Sequence, residues 1–291
     1  MITKKILESE IENLEGLNNM VKAYEEIAAS RIVHSRELVL TNRSFIDEIS
    51  IIFSEVLESY KKEMDNIVKK RGAKSIKDLT FLQKNGKTLY LLVSANTGLY
   101  GNLVRRTFDL FLENSKEVNT DKAIIGKLGL YMWQQTKIKD KYFYFDFPDQ
   151  SVDENLLRNI LNFIISYEKV IIFYGRFHNL VTQEATFSDI SGNAYSNKKS
   201  SQESIKYVFE PSLEKILEFF EKQIFASIFE QTMQESQLAK IASRLTTLDN
   251  ASENILKKLN IVTNEKNITS HRHLNKKQLE TFSSRALWGK I

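Results

Sequence analysis

Apolar residues near the C-terminal end of the chain recur at alternating steps of three and four. Leu238, Ile241, Leu245, Leu248, Ser252, Ile255, Leu259 and Val262 form a heptad seam with one polar member, the pattern by which two helices wind together. A looser version, Leu7, Ile11, Leu14, Leu17, Val21, Tyr24 and Ala28, runs near the start. Eight of the ten glycines fall between Gly72 and Gly192, and the two prolines are Pro148 and Pro211; glycine, which interrupts helices, is absent between Gly16 and Gly72 and again between Gly192 and Gly289. The pattern predicts long terminal helices, and a helix over Ile6–Ile67 would be on the order of 90 Å long. A partner for the seam comes either from the other end of the same chain, giving an antiparallel coiled coil, or from a second copy, giving a homodimeric coiled coil or bundle.

Between the helices the pattern alternates differently. Continuous apolar runs at Thr88–Ala95, Lys122–Gly129 and Lys169–Phe177 read as buried strands, with a shorter edge segment at 142–147. Helical stretches at 102–115 and Glu154–Glu168 separate them. Segments 180–190 and 205–211 read as a hairpin around a polar loop. The expected fold is therefore α/β: a Rossmann-like α/β domain over residues 71–206, inserted between an N-terminal helix over 1–70 and a C-terminal helix over 207–291.

Composition narrows the chemistry. There is no cysteine, which excludes disulfides and thiolate sites and fits a reducing compartment. No stretch is apolar enough to span a membrane and no secretory signal is visible, so a soluble protein is expected. The net charge of +4 is spread along the chain, unlike the concentrated basic stripe of a nucleic-acid binder, and no nucleic-acid partner is expected.

Glycines in "SANTGLYGNL" invite comparison with a phosphate loop. Gly98 and Gly101 follow a strand, but the Lys-Ser/Thr pair that would reach an anion is absent. "NGKT" (Asn85–Thr88) supplies the triplet, but it precedes a strand and the earlier required glycine is Phe81. Gly98 and Gly101 are read as a structural turn from sheet to helix. Of the four histidines, His34, His178, His271 and His273, no pair has metal-binding helical spacing; His178, past a strand, is the best lone candidate for acid–base work. No catalytic constellation emerges, and no metal or cofactor site.

Four segments resemble a known family in order. "MVKAYEEIAASRIVHSRELV" (Met20–Val39) resembles the first helix of the gamma subunit of F-type ATP synthases through Lys22, Ala23, Ala28, Ala29, Ser30 and Arg31. "LLVSANTGLYGNL" is similar to that family's strand and turn at Ser94, Gly98, Leu99 and Gly101. "YVFEPSLEKILEFF" and "LTTLDNASENI" resemble its last helix, with Leu248 in place of a threonine. The resemblance implies a non-catalytic central rotor shaft that couples nucleotide turnover in a surrounding ATPase ring to rotation. It implies a hexameric ring of catalytic and non-catalytic subunits as partner, with an epsilon-type small subunit and a membrane rotor ring. ATP or ADP and Mg would sit on the partner subunits, with no cofactor on this chain. The expected location is cytoplasmic, peripheral on the inner face of the cell membrane. Ring contacts carried over by the resemblance are Lys22, Glu26, Ile27, Ser30, Arg31, Leu248, Asp249 and Asn250.

Departures from the family leave alternatives open. Glu8, Glu10, Glu12 and Glu15 occupy a stretch that is typically basic, Tyr24 and Glu26 replace methionines, and the closing segment from Asn267 to Ile291 lacks the family's terminal signature. A gamma-like subunit of an F-type-like ATPase repurposed for another motor, such as bacterial gliding, is one alternative. A non-rotary coiled-coil adaptor is another, and an enzyme built on the middle domain would need a ligand pocket at its strand ends. Abundant lysine, asparagine, isoleucine and phenylalanine suggest an AT-rich genome, as in wall-less bacteria.

Overall fold

The computed structural model describes residues 4–59, 82, 84–115, 120–136, 138, 140–149, 153–190 and 212–288. Among these residues ten elements follow in chain order: α1 (Lys4–Ser59), β1 (Thr88–Val93), α2 (Leu103–Asn114), β2 (Thr120–Ile125), α3 (Lys127–Gln135), β3 (Tyr142–Phe145), α4 (Glu154–Ile164), β4 (Lys169–Phe177), β5 (Gln183–Asp189) and α5 (Leu213–Trp288). The domain boundaries expected near residues 70 and 206 lie outside the described residues, as does any continuation of α1 toward Ile67. The chain divides into two compact units, Met1–Ala29 with Arg244–Ile291 and Ser30–Ser243.

In the first unit the seam is closed within one chain. Ser252 Oγ meets Asn18 Oδ1 at 3.1 Å, and Lys258 Nζ lies 3.3 Å from Glu10. Earlier residues of α1 thus meet later residues of α5, so the pair is antiparallel. Leu248, Ser252, Ile255 and Val262 are buried, opposite a stripe that includes Leu7, Asn18 and Ala28. The sequence reading of α1 is corrected at two places. Leu17 and Tyr24 are about half exposed, at 47% and 52%, and Asn18 and Glu25 take their seam positions. The reason is phase. Positions 7, 11, 14, 18, 21, 25 and 28 keep a strict alternation of four and three, whereas passing through 17 and 24 would turn each side chain about 100° off that face.

The same phase continues along α1 in the second unit, where Ile32, Val39, Ile49, Phe53 and Val56 are buried. Antiparallel pairing with α5 recurs there: Asn42 donates to the Ser227 carbonyl, and the rings of Phe53 and Phe220 lie 5.8 Å apart.

A five-stranded sheet, ordered β3-β2-β1-β4-β5, forms the centre of that unit. The first four strands are mutually parallel, and β5 runs antiparallel to β4. Of the hairpin expected between 180–190 and 205–211, only the first strand is seen: β5 pairs with β4, and residues 205–211 lie outside the described residues. Alternation along β1 shows why both faces are covered. Leu89, Leu91 and Val93 pack with Ile160 and Ile164 of α4 and Phe225, Phe229 and Met233 of α5. Tyr90 and Leu92 pack on the other face with Phe108 and Phe111 of α2 and Trp133 of α3. Helix α3 replaces the end of the strand expected to run to Gly129. The break is at Gly126, whose φ of 97° and close approach to the Ala95 backbone, 2.8 Å from any added Cβ, admit only glycine. The chain order carries β1, α2, β2, α3 and β3 outward along the sheet, then α4 back across the opposite face to β4 beside β1.

Candidate functional site

Strands β1, β2 and β3 end side by side, and the carboxyl ends of such strands are where an α/β sheet ordinarily receives a ligand. The glycine turn, residues 94–102, lies there. Its backbone N–H groups do converge on an anion, but that anion belongs to the chain. Asp149, in the segment after β3, accepts from the backbone N–H of Asn96 at 3.0 and 2.9 Å and of Thr97 at 2.8 Å, and from the Thr97 hydroxyl at 2.9 Å. Asn96 ties the neighbouring strand ends together. Its amide donates to Asp146 and to the Phe147 carbonyl, and its Oδ1 accepts from the Lys127 backbone N–H at the start of α3.

Helix α5 completes the site. Lys240 is buried; its ammonium donates to the Ser94 carbonyl at 2.9 Å and lies 3.6 Å from Asp149 Oδ1. Gln237 and Ser243, on the same stretch of helix, donate to the carbonyls of Asp149 and Tyr100 at 2.9 and 2.8 Å. One carboxylate and one ammonium, each desolvated, are thus paired and further hydrogen-bonded, the condition under which buried charges are tolerated. Burial by itself would raise the Asp149 pKa. Lys240 and the donors from Asn96 and Thr97 outweigh it and hold the carboxyl below its ordinary range.

The two glycines of the turn are not equivalent. Gly101 has a φ of 53°, so its turn role is conformational. Gly98 has no such φ, and a Cβ there would meet nothing within 4 Å; the left-handed residue is instead Leu99, with φ 69°. "NGKT" is a local turn in which Asn85 Oδ1 accepts from the Lys87 N–H ahead of β1. His178 contacts Glu184 across the β4–β5 hairpin at 2.8 Å, both side chains being largely exposed. Among the described residues no cluster of three or more His, Asp or Glu could hold a metal, and no helix is long and apolar enough to cross a membrane.

A family model described as ATP synthase matches residues 3–269. The chain belongs to the ATP synthase gamma-chain family. Similar relatives are the ATP synthase gamma chains of Mesoplasma florum, 27% identical over 254 residues covering 85% of each chain, and of Mycoplasma mycoides subsp. mycoides, 25% identical with 86% of each covered. That of Staphylococcus carnosus is 22% identical, again with 86% of each covered. Two solved structures share the fold. One is the central stalk and c-ring of Tetrahymena thermophila mitochondrial ATP synthase (TM-score 0.52, 19% identity, 80% of this chain and 99% of that one). The other is Euglena gracilis mitochondrial ATP synthase (TM-score 0.51, 15% identity, 90% and 97%). Membership of this family makes the chain a central-shaft subunit.

The residues carried over as ring contacts separate into two groups. Lys22, Glu26, Ile27 and Ser30 are exposed on α1, Arg31 is half-buried, and Asp249 and Asn250 are exposed on α5. Leu248 differs from them: it is 3% exposed, at a seam position. Sequence reasoning missed Asp149, Lys240, Gln237 and Ser243 altogether. The available signal was a lysine and two polar residues interrupting the apolar pattern of α5 just where its seam begins at Leu238.

Proposed function

We propose that this gamma-type chain acts as a passive shaft: it carries torque and binds no nucleotide, while ATP or ADP and Mg are handled on the subunits of a surrounding hexameric ring. The observation that carries this is the filled crevice. At the carboxyl end of β1, one wall of the crevice where such a sheet takes a nucleotide, the N–H groups of Asn96 and Thr97 are spent on Asp149, and Lys240 lies beside that carboxylate. An antiparallel coiled coil suits the task, since an asymmetric shaft in a ring of equivalent sites biases each site differently as it turns. An epsilon-type subunit and a membrane rotor ring are the further partners this reading expects, with the assembly on the inner face of the cell membrane.

The test uses the full chain alone and with its ring. Alone it should hydrolyse no ATP; added to the ATPase ring of the same cell it should change the turnover and rotate. Hydrolysis by the isolated chain would overturn the passive reading. Tagged copies should co-purify with ring subunits and a proton-translocating membrane ring; recovery with a distinct ATPase ring and no proton channel would point to a repurposed motor.

A further inference from the structure

We propose that Asp149 and Lys240 are positioning residues that lock α5 to the sheet, so that twist applied to the helix is delivered to the globular domain without slip. This rests on the shaft reading above. The apolar contacts that hold α5 on the sheet, through Phe225, Phe229 and Met233, resist separation but are non-directional. A helix gripped only by such contacts can roll or slide by fractions of a turn at small cost. Directional bonds remove that freedom, and they are concentrated in two turns of α5.

Gln237, Lys240 and Ser243 recur every three residues on one face of the helix and reach three different carbonyls, those of Asp149, Ser94 and Tyr100. These acceptors lie on the turn after β1 and the segment after β3, so the helix is tied to two strand ends at once. Asp149 is the centre of the arrangement. Its carboxylate holds the turn through Asn96 and Thr97 and faces Lys240 from the other side, with both side chains no more than 10% exposed. Sliding α5 by one residue would leave an unpaired ammonium and an unpaired carboxylate in a desolvated site, a penalty that apolar packing alone does not impose. The pair is thus a specificity device for register, acting through the turn and not on any substrate.

The experiment is single-molecule rotation of the assembled ring complex, with a bead attached through Glu113→Cys, an exposed position on α2 in a chain that has no natural cysteine. Angular fluctuation within each dwell reports the torsional stiffness between helix and globular domain. Asp149→Asn combined with Lys240→Met removes both charges together, an exchange that buried ion pairs often tolerate in folding. The expected result is an unchanged unloaded turnover with a severalfold larger angular variance. Lys240→Arg, which keeps the charge, should stay within about twofold of the original variance. Asp149→Gly should recover stiffness when formate is added, because formate can occupy the donors of Asn96 and Thr97. If the doubly neutral chain folds and its variance equals that of the original, the lock is overturned. If the unaltered chain does not rotate at all, the shaft reading fails instead.

Discussion

Among the described residues, a buried polar pair joins α5 to its packing partner in each unit, and the two pairs are built differently. In the coiled-coil unit, Asn18 and Ser252 are neutral and joined by one hydrogen bond inside a mostly apolar seam. In the globular unit, Asp149 and Lys240 are charged and bound to the turn on several sides. A neutral pair fixes register at little cost, since a wrong alignment strands only two weak polar groups. A charged pair fixes it far more strongly, but only while both members remain. The coiled coil needs correct register over a repeating pattern that offers near-equivalent alternatives one heptad away; the globular site has no repeat and holds a single position.

Removing one member of the charged pair should therefore have the largest effect. Lys240→Met leaves Asp149 buried without its counter-ion, and unfolding by urea should show a loss of about 3–5 kcal/mol. Ser252→Pro should cost about 3 kcal/mol or more through the lost helical hydrogen bond and the ring's clash with the preceding turn. Next comes a contrast within the seam itself: Leu248→Ala should destabilise by about 2–5 kcal/mol, whereas Leu17→Ala, on the exposed face of α1, should stay within about 0.5 kcal/mol. Cysteines placed at Asn18 and Ser252 should crosslink within one chain; crosslinks found only between chains would mean that the seam can also be filled by a second copy.

Acid should distinguish the pairs more gently. Asp149 has its pKa lowered in the fold, so the stability it contributes is present above the unfolded value, near 3.9, and is lost as pH falls through the lower folded value. Glu235, on the same helix, goes the other way. Burial raises its pKa against the opposing influence of Arg176 and Arg43, so its contribution is present below its unfolded value and fades as pH rises through the raised one. Melting curves should show Glu235→Gln flattening the profile above about pH 4, and Asp149→Asn flattening it below, where the neutral Asn18–Ser252 pair has no such dependence.

Much of the architecture was legible because it is periodic. The α5 seam could be read from Leu238 to Val262, and the strands from their unbroken apolar runs. The α1 seam was legible only in part: Leu17 and Tyr24 are more apolar than Asn18 and Glu25, and hydrophobicity alone preferred them, although the geometric phase of the helix decides. Helix α3 was missed because the run from Lys122 to Gly129 reads as one continuous strand, while the positive φ at Gly126 in fact releases the chain into a helix. The lock was illegible for a different reason. Asp149 and Lys240 are 91 positions apart in the sequence, and nothing local distinguishes a buried lysine from a solvated one. The glycine turn lacks the residues of a phosphate loop in the sequence itself, but the occupant of its N–H groups became visible only in three dimensions.

The strict four-three alternation from Leu7 to Ala28 has a consequence for handedness. A seven-residue repeat falls short of two full turns of an α-helix, and two helices that keep such a seam in contact must wrap around each other in a left-handed sense. A left-handed two-strand rope is chiral as a spring. Twist in one sense winds the strands tighter and presses the seam closed; twist in the other sense unwinds them and opens it. The coiled coil is therefore stiffer in one sense of rotation than in the other, whatever the ring around it does. Magnetic tweezers applied to the assembled shaft should register that inequality as two different torsional constants, and equal constants would show that the supercoil carries none of the load.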